Sequence, residues 1–360
     1  MSNIKKIGIL TSGGDCAGLN AAIAAVTKKA VLDYGWEVYG IYDSTAGLME
    51  RPVRHIKLHP DMFGIETFRK GGTFLGTVNK GDPFNYPMKD GTFKDRSNEI
   101  IEGYRQLGLD ALIAIGGDGS MRIIEKLTSM GNIKFIGIPK TIDNDVAFTD
   151  YSIGFMSAVD EAANCIERLH DTALSHRRVM VIETMGREVG HIALNAGICG
   201  SADIILIPEI PYDINIIANK VKEEYAKKQY VIVVCSEAIF PKGGEQSIIE
   251  TKSHVKKFAG AGQKLGDQIE ALTGIETRVS IPGHMQRGGS PISFDRILAA
   301  AFGTRAVELL KEGKNRRLVG THSGELFDID LEQVTSSQRA VDTEGFLMNT
   351  ARGMGICFGD

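Results

Sequence analysis

The chain has 360 residues, with 41 Lys and Arg against 45 Asp and Glu, a formal net charge of −4 and 43% hydrophobic residues. This length predicts two α/β lobes or one large one, and the lack of a basic excess argues against a nucleic-acid or membrane-surface protein. No apolar run reaches membrane-span length and no charged-then-apolar leader opens the chain, while Cys16, Cys165, Cys199, Cys235 and Cys357 form no Cys-x-x-Cys pair, which suits reduced thiols in the cytoplasm.

Short apolar runs alternate with amphipathic helices, predicting a mostly parallel sheet covered by helices on both faces. Strands are expected over 7–10, 37–41, 111–115, 135–138, 179–182, 204–207, 231–234 and 277–281. The first runs into Thr11-Ser12-Gly13-Gly14-Asp15-Cys16, glycines at the carboxyl end of a strand, where ligands bind in open α/β sheets. It is neither a Walker loop nor a clean Gly-x-Gly-x-x-Gly fingerprint. Leu19, Ile23, Val26 and Ala30 then mark a helix. The run Ala-Leu-Ile-Ala-Ile at 111–115 leads into Gly116-Gly117-Asp118-Gly119-Ser120, with a helix to follow over 121–130 carrying Ile123, Ile124 and Leu127 on one side. Adjacent glycines let backbone approach a phosphate, and the helix N-terminus offers N–H groups to it. Asp118, placed in the turn with no structural task, suits a Mg²⁺ carried by polyphosphate. A turn needing glycine for geometry alone explains the same residues.

The strand at 135–138 ends in Pro139-Lys140-Thr141-Ile142-Asp143-Asn144-Asp145. One carboxylate there can accept a proton from a hydroxyl while the other helps hold Mg²⁺. Alternatively, both form Asx-turns that cap a helix starting near Ser152. That helix is marked by Phe155, Val159, Ala162, Ile166 and Leu169. Further on come Met185-Gly186-Arg187, an exposed loop or insertion over 241–253, and Gly283-His284-Met285-Gln286-Arg287-Gly288-Gly289-Ser290-Pro291. Arg and His at strand ends suit a phosphate ester. Ile297, Ala301 and Leu309 mark one side of a last helix, and beyond about residue 320 the periodicity weakens.

Taken together, Thr-Ser-Gly-Gly-Asp, Gly-Gly-Thr-Phe-Leu-Gly (71–76), Gly-Gly-Asp-Gly-Ser, Thr-Ile-Asp-Asn-Asp, Met-Gly-Arg and His-Met-Gln-Arg-Gly-Gly-Ser-Pro occur in the order of the 6-phosphofructokinase family, which the chain resembles from about residue 4 to about residue 312. The resemblance implies phosphorylation of fructose 6-phosphate at its 1-hydroxyl by Mg-ATP in the cytoplasm. It implies two lobes with the active site in a cleft between them: a donor lobe of 1–154 plus about 288–335, and a sugar-phosphate lobe of 155–287 plus the tail. Asp143 falls on the proton acceptor, with Thr141, Asp145 and Arg187 beside it in the catalytic set. Asp118 falls on the Mg²⁺ ligand. Gly13, Gly14, Asn79, Lys80, Gly117, Gly119, Ser120 and Lys140 fall at the donor site. The sugar phosphate is assigned Thr141, Ile142, Asp143, Arg178, Met185, Gly186, Arg187, Glu237, Arg278, His284, Met285, Gln286 and Arg287. In the family, Arg178 and Arg278 reach a neighbouring subunit's site, implying a homodimer or homotetramer.

Within that resemblance, Gly119 marks the ATP users, since pyrophosphate users carry Asp there, whereas Lys140 is usual in pyrophosphate enzymes and in some ATP branches. A lysine attracts either donor and a carboxylate repels the longer one, so Gly119 decides for ATP. The alternatives are a reversible pyrophosphate-dependent enzyme, and an inactive regulatory subunit that the intact Asp118, Asp143 and Asp145 oppose. Basic effector-site residues of bacterial members fall on Ala24 and His170, which argues against classical ADP activation and phosphoenolpyruvate inhibition.

Overall fold

Two sheets organise the chain, each in its own unit of the computed structural model, which describes residues 4–78, 81–250, 256–258 and 260–360. Unit 1 takes Met1–Thr141, Asp145–Ser157 and Arg287–Gln338, and unit 2 takes Ile142–Asn144, Ala158–Gln286 and Arg339–Asp360. The chain begins with β1 (Lys6–Thr11), α1 (Leu19–Tyr34), β2 (Glu37–Ile41), α2 (Thr45–Met49), β3 (His55–Leu58) and α3 (Ile65–Arg69). A small hairpin of β4 (Tyr86–Pro87) and β5 (Phe93–Lys94) precedes α4 (Ser97–Gln106), β6 (Ala111–Gly116), α5 (Asp118–Gly131) and β7 (Phe135–Pro139). After α6 (Phe155–His176) come β8 (Val179–Thr184), α7 (His191–Cys199), β9 (Ile204–Leu206), α8 (Ile214–Lys228) and β10 (Val231–Ser236). Next are β11 (Ile248–Glu250), β12 (Lys256–Phe258), α9 (Ala261–Thr273) and β13 (Thr277–Ser280). Unit 1 is completed by α10 (Ser293–Lys311), β14 (Arg317–His322), β15 (Glu325–Asp330) and α11 (Leu331–Thr335), and unit 2 by α12 (Phe346–Gly353).

In unit 1 the strand order is β15-β14-β7-β6-β1-β2-β3, parallel through the centre and antiparallel at both edges. Unit 2 carries the all-parallel order β13-β8-β10-β9. This is an α/β fold of mostly parallel sheets flanked by helices. Strands β6, β7, β8 and β10 are buried at every position, so they read as continuous apolar runs rather than alternating ones. The unit 1 core gathers Leu10, Ile41, Leu112, Ile124, Leu127 and Phe135; that of unit 2 gathers Val181, Ile204, Val233, Leu265 and Ile269.

Three expectations change. The helix expected through Ile297, Ala301 and Leu309 exists, but its buried stripe is Leu298, Phe302, Ala306, Leu309 and Leu310, and Ile297 is 70% exposed. Its partner is α1, and the contact requires Gly303, where a Cβ would stand 2.8 Å from the Ala22 carbonyl oxygen. The segment past residue 320 is a hairpin, β14 to β15, turning through Ser323 and Gly324, both at positive φ. The loop expected over 241–253 includes β11, which pairs antiparallel with β12; residues 251–253 lie outside the described ones.

Candidate active site

In unit 1, β1, β6 and β7 deliver their carboxyl ends side by side. Ser12 N–H bonds to the Ile115 carbonyl (2.9 Å), Gly13 N–H to the Val78 carbonyl (3.1 Å), and the Thr77 hydroxyl to the Gly13 carbonyl (2.7 Å). Gly13 sits at φ +84°, a conformation that favours glycine. A Cβ there would meet Ser120 Oγ at 2.9 Å and Lys140 Nζ at 3.5 Å, and one on Gly14 would meet Arg287 Nη1 at 2.7 Å. Thus Gly13, Gly14, Ser120, Lys140 and Arg287 converge. Lys140, 3% exposed, donates to the Gly14 carbonyl, and Arg287 Nη1 donates to the Asp15 carbonyl at 3.2 Å. Two cations are thereby anchored on the carbonyls of a glycine turn.

Helix α5 starts from extended Gly117, which supplies no side-chain cap, and a helix start of this kind favours an anion. Gly116 allows the close approach of Ser120, whose Cβ would stand 2.8 Å from a Cβ there. Gly119 differs: a Cβ there meets nothing within 4 Å among the described residues. Asp118 is the first helical residue rather than part of a loop, and it has a structural task, an ion pair with Arg122 one turn on (Nη2 to Oδ2 2.9 Å). Such an i,i+4 pair is worth only about 0.3–0.5 kcal/mol and yields to a stronger cation. Among the described residues no three His, Cys, Asp or Glu side chains gather into a metal cage. A single carboxylate still fits Mg²⁺, which keeps its waters and takes most other ligands from substrate phosphates.

Asn79 and Lys80 lie outside the described residues. Asn20 was missed in the sequence and helps shape this half. Fully buried on α1, it donates to the Lys70 carbonyl (3.0 Å) and accepts from Phe74 N–H (3.0 Å), fixing the Gly-Gly-Thr-Phe segment. A polar residue within an apolar helical stripe was its one signal.

The polar segment after β7 is buried: Asp143, Asn144 and Asp145 are each under one-tenth exposed. Ile142, Asp143 and Asn144 belong to unit 2, Thr141 and Asp145 to unit 1, where Asp145 accepts from Gln338 Nε2 at 3.3 Å. The following helix begins at Phe155 rather than near Ser152, and Asp295 of α10 caps it. Its carboxylate accepts from Gly154 N–H (2.9 Å), Ser157 N–H (2.7 Å) and the Ser157 hydroxyl (2.6 Å). Burial pushes the Asp295 pKa up, opposed by these three donors.

In unit 2, the carboxyl ends of β8 and β10 bring together Met185, Gly186, Arg187 and Glu237. Arg187 N–H bonds to Glu237 Oε1 (2.9 Å), and Met185 N–H to the side-chain oxygen of buried Gln286 (3.3 Å). Gly186, at φ +147°, has no room for a Cβ, which would stand 2.6 Å from the Val189 carbonyl oxygen. His284 and Met285 are exposed on the short turn of 3-10 helix, Gly283–Arg287. Arg178 and Arg278 lie elsewhere. Arg178 immediately precedes β8 and Arg278 is the second residue of β13, paired in register with Met180. Both sit at the amino edge of this sheet, and the six residues of β8 put them roughly 20 Å from Met185 at about 3.3 Å per residue.

A family model described as phosphofructokinase matches residues 6–310. The chain belongs to the phosphofructokinase family. It is 51% identical to the ATP-dependent 6-phosphofructokinase 1 of Synechocystis sp. over the whole length of both chains. It is 43% identical to the ATP-dependent 6-phosphofructokinase 2 of Clostridium perfringens, again over both full lengths. The phosphofructokinase structure from Saccharomyces cerevisiae superposes with a TM-score of 0.78 at 26% identity, covering 97% of this chain and 46% of that one.

Proposed function

We propose that the chain is an ATP-dependent 6-phosphofructokinase, passing the γ-phosphoryl group of ATP to the 1-hydroxyl of fructose 6-phosphate to give fructose 1,6-bisphosphate and ADP. The observation carrying the choice of donor is the open space at Gly119 beside the uncapped start of α5, in a chain whose full-length relatives are named as ATP-dependent. Lys140, bound to the Gly14 carbonyl, offers its charge to any phosphate on that turn and so does not favour pyrophosphate over ATP.

In this reading unit 1 holds the donor through Gly13, Gly14, Gly117, Gly119, Ser120 and Lys140, with Asn79 and Lys80 assigned there by resemblance. Unit 2 holds the sugar phosphate through Met185, Gly186, Arg187, Glu237, His284, Met285 and Gln286. Arg287 is assigned to the sugar phosphate too, although its guanidinium rests on the Asp15 carbonyl. Asp143 takes the proton of the 1-hydroxyl, with Thr141, Ile142 and Asp145 assigned to the same step by resemblance. Mg²⁺ held by Asp118 and the donor phosphates would neutralise charge on the transferring group. Positioning and charge neutralisation are most of what phosphoryl transfer asks of a protein. The five free cysteines suit a reducing cytoplasm.

The amino-edge placement of Arg178 and Arg278 supports their serving another copy's sugar site, hence a homo-oligomer. Two experiments test this. With fructose 6-phosphate held equal, ATP should support turnover far better than pyrophosphate; the reverse order would overturn the donor assignment. Mixing Asp143→Asn with Arg278→Ala subunits should restore activity, because one site of the hybrid then has both groups. No recovery on demonstrated subunit exchange would refute the sharing.

A further inference from the structure

Arg178 and Arg278 are not left facing solvent alone. Glu276 precedes β13, and its carbonyl accepts the N–H of Val179 at 2.9 Å, which fixes it beside the start of β8. One of its carboxylate oxygens, Oε1, lies 2.7 Å from Arg278 Nη2 and 3.4 Å from Arg178 Nη2. A single oxygen is thus shared by two guanidinium groups. Arg278 is folded back further, its Nη1 donating to the carbonyl of its own neighbour Thr277 at 3.0 Å. Arg178 is held differently. Its side chain is 18% exposed and its Nε is buried with no hydrogen-bond partner among the described residues.

We propose that Glu276 is an internal counter-ion for this arginine pair, displaced by the phosphate of the incoming sugar phosphate, and that it thereby sets the affinity for that substrate. The proposal rests on the reading that Arg178 and Arg278 hold the sugar phosphate. Two guanidinium groups side by side repel each other, and one carboxylate leaves the pair with a net charge of one. A phosphate monoester near neutral pH carries close to two negative charges and three acceptor oxygens, so it satisfies both forks where Glu276 offers one shared oxygen. Both ion pairs are solvent-exposed on the Glu276 side, 43% for its side chain, and such pairs exchange at little cost. Arg178 is positioned by burial and Arg278 by the strand, so neither needs Glu276 to stay in place. Competition is the effect that remains. Glu276 does not touch the substrate: it acts only by competing with it for the arginines.

The test is Glu276→Gln in the full-length enzyme. KM for fructose 6-phosphate should fall about three- to tenfold, the worth of two exposed ion pairs. Meanwhile kcat should stay within twofold and KM for ATP should not move. Damage to the fold raises KM or lowers kcat, so a fall in KM alone is not a structural by-product. In an Arg278→Ala background the same substitution should lose most of its effect. Glu276→Asp, which draws the carboxylate back by one methylene, should fall between wild type and Gln, and serves if the Gln variant does not fold. An unchanged or raised KM for fructose 6-phosphate in folded Glu276→Gln would overturn the counter-ion role. If Arg178→Ala and Arg278→Ala themselves leave that KM unchanged, the sugar-phosphate reading fails first, and the two failures are told apart by these single variants.

Discussion

Replacing Gly119 with Asp is the sharpest probe of donor choice. Residue 119 is exposed in the first turn of α5, and a Cβ there meets nothing within 4 Å among the described residues, which leaves room for the side chain. Stability should hold or rise slightly: Asp is a better helix residue than Gly, and a carboxylate in the first turn of a helix gains about 0.3–1 kcal/mol. The cost falls on the nucleotide. A carboxylate about 4 Å from a phosphate charge costs about 4 kcal/mol at an effective dielectric near 20 and about 1 kcal/mol in bulk water. An exposed residue lies between these limits, which corresponds to about a five- to thousandfold loss in kcat/KM for ATP. Pyrophosphate lacks the α-phosphate and ribose and should lose less. The assay is kcat/KM for each donor at saturating fructose 6-phosphate, on wild type and variant, with melting temperatures for both. If the folded variant uses ATP within threefold of wild type, residue 119 does not face the nucleotide and the reasoning fails.

Asp143→Asn should lower kcat by about 10²- to 10⁴-fold, the usual range for a general base, with KM for fructose 6-phosphate nearly unchanged. Because Asp143 is buried, the melting temperature must be matched, and turnover within threefold in a matched variant would remove the assignment. Arg287→Ala should raise KM for fructose 6-phosphate more than KM for ATP; an equal rise would tie Arg287 to the glycine turn it rests on. Burial first, and the Arg339 guanidinium second, lower the pKa of His191 from the usual 6.5 to about 4. The unfolded chain then binds a proton that the folded chain does not, so stability should fall as pH drops from 6.5 towards 4, by roughly 3 kcal/mol in all. His191→Gln should flatten that limb in denaturant titrations at each pH, and an unchanged slope would show that other groups set it.

What was legible in the sequence is what short-range geometry dictates. Strands buried on both faces are continuous apolar runs, and glycines are obligatory where backbone or side chains close in, as at Gly13, Gly14 and Gly186. The periodicity of α10 was legible too, but not its phase, because Ile297 sits on a different side from the stripe that packs on α1. The edge strand β15 is largely half-buried and lacks a clean alternation, leaving the Ser323-Gly324 turn as the one sign of it. Asp118 shows the limit of reading a turn residue by elimination, since its partner Arg122 sits only one helical turn away.

Long-range satisfaction of polar groups is the part that a linear pattern hides. Asp295 caps a helix whose first turn lies 138 residues earlier in the chain, and nothing local to either segment announces the pairing. Arg178 and Arg278 show the same limit in another way. Arg178 stands just before a strand and Arg278 within one, and their residue type suits an anion wherever they are placed. Which end of the strand they occupy decides whether they serve their own subunit. Counting supplies that: the parallel register of β13 on β8 puts Arg278 beside Met180, six strand residues separate Arg178 from Met185, and a guanidinium on a flexible stem cannot close a gap of roughly 20 Å. On the reading proposed above, the amino edge of the unit 2 sheet serves another copy's substrate, and Glu276 keeps its charge in balance until that substrate arrives.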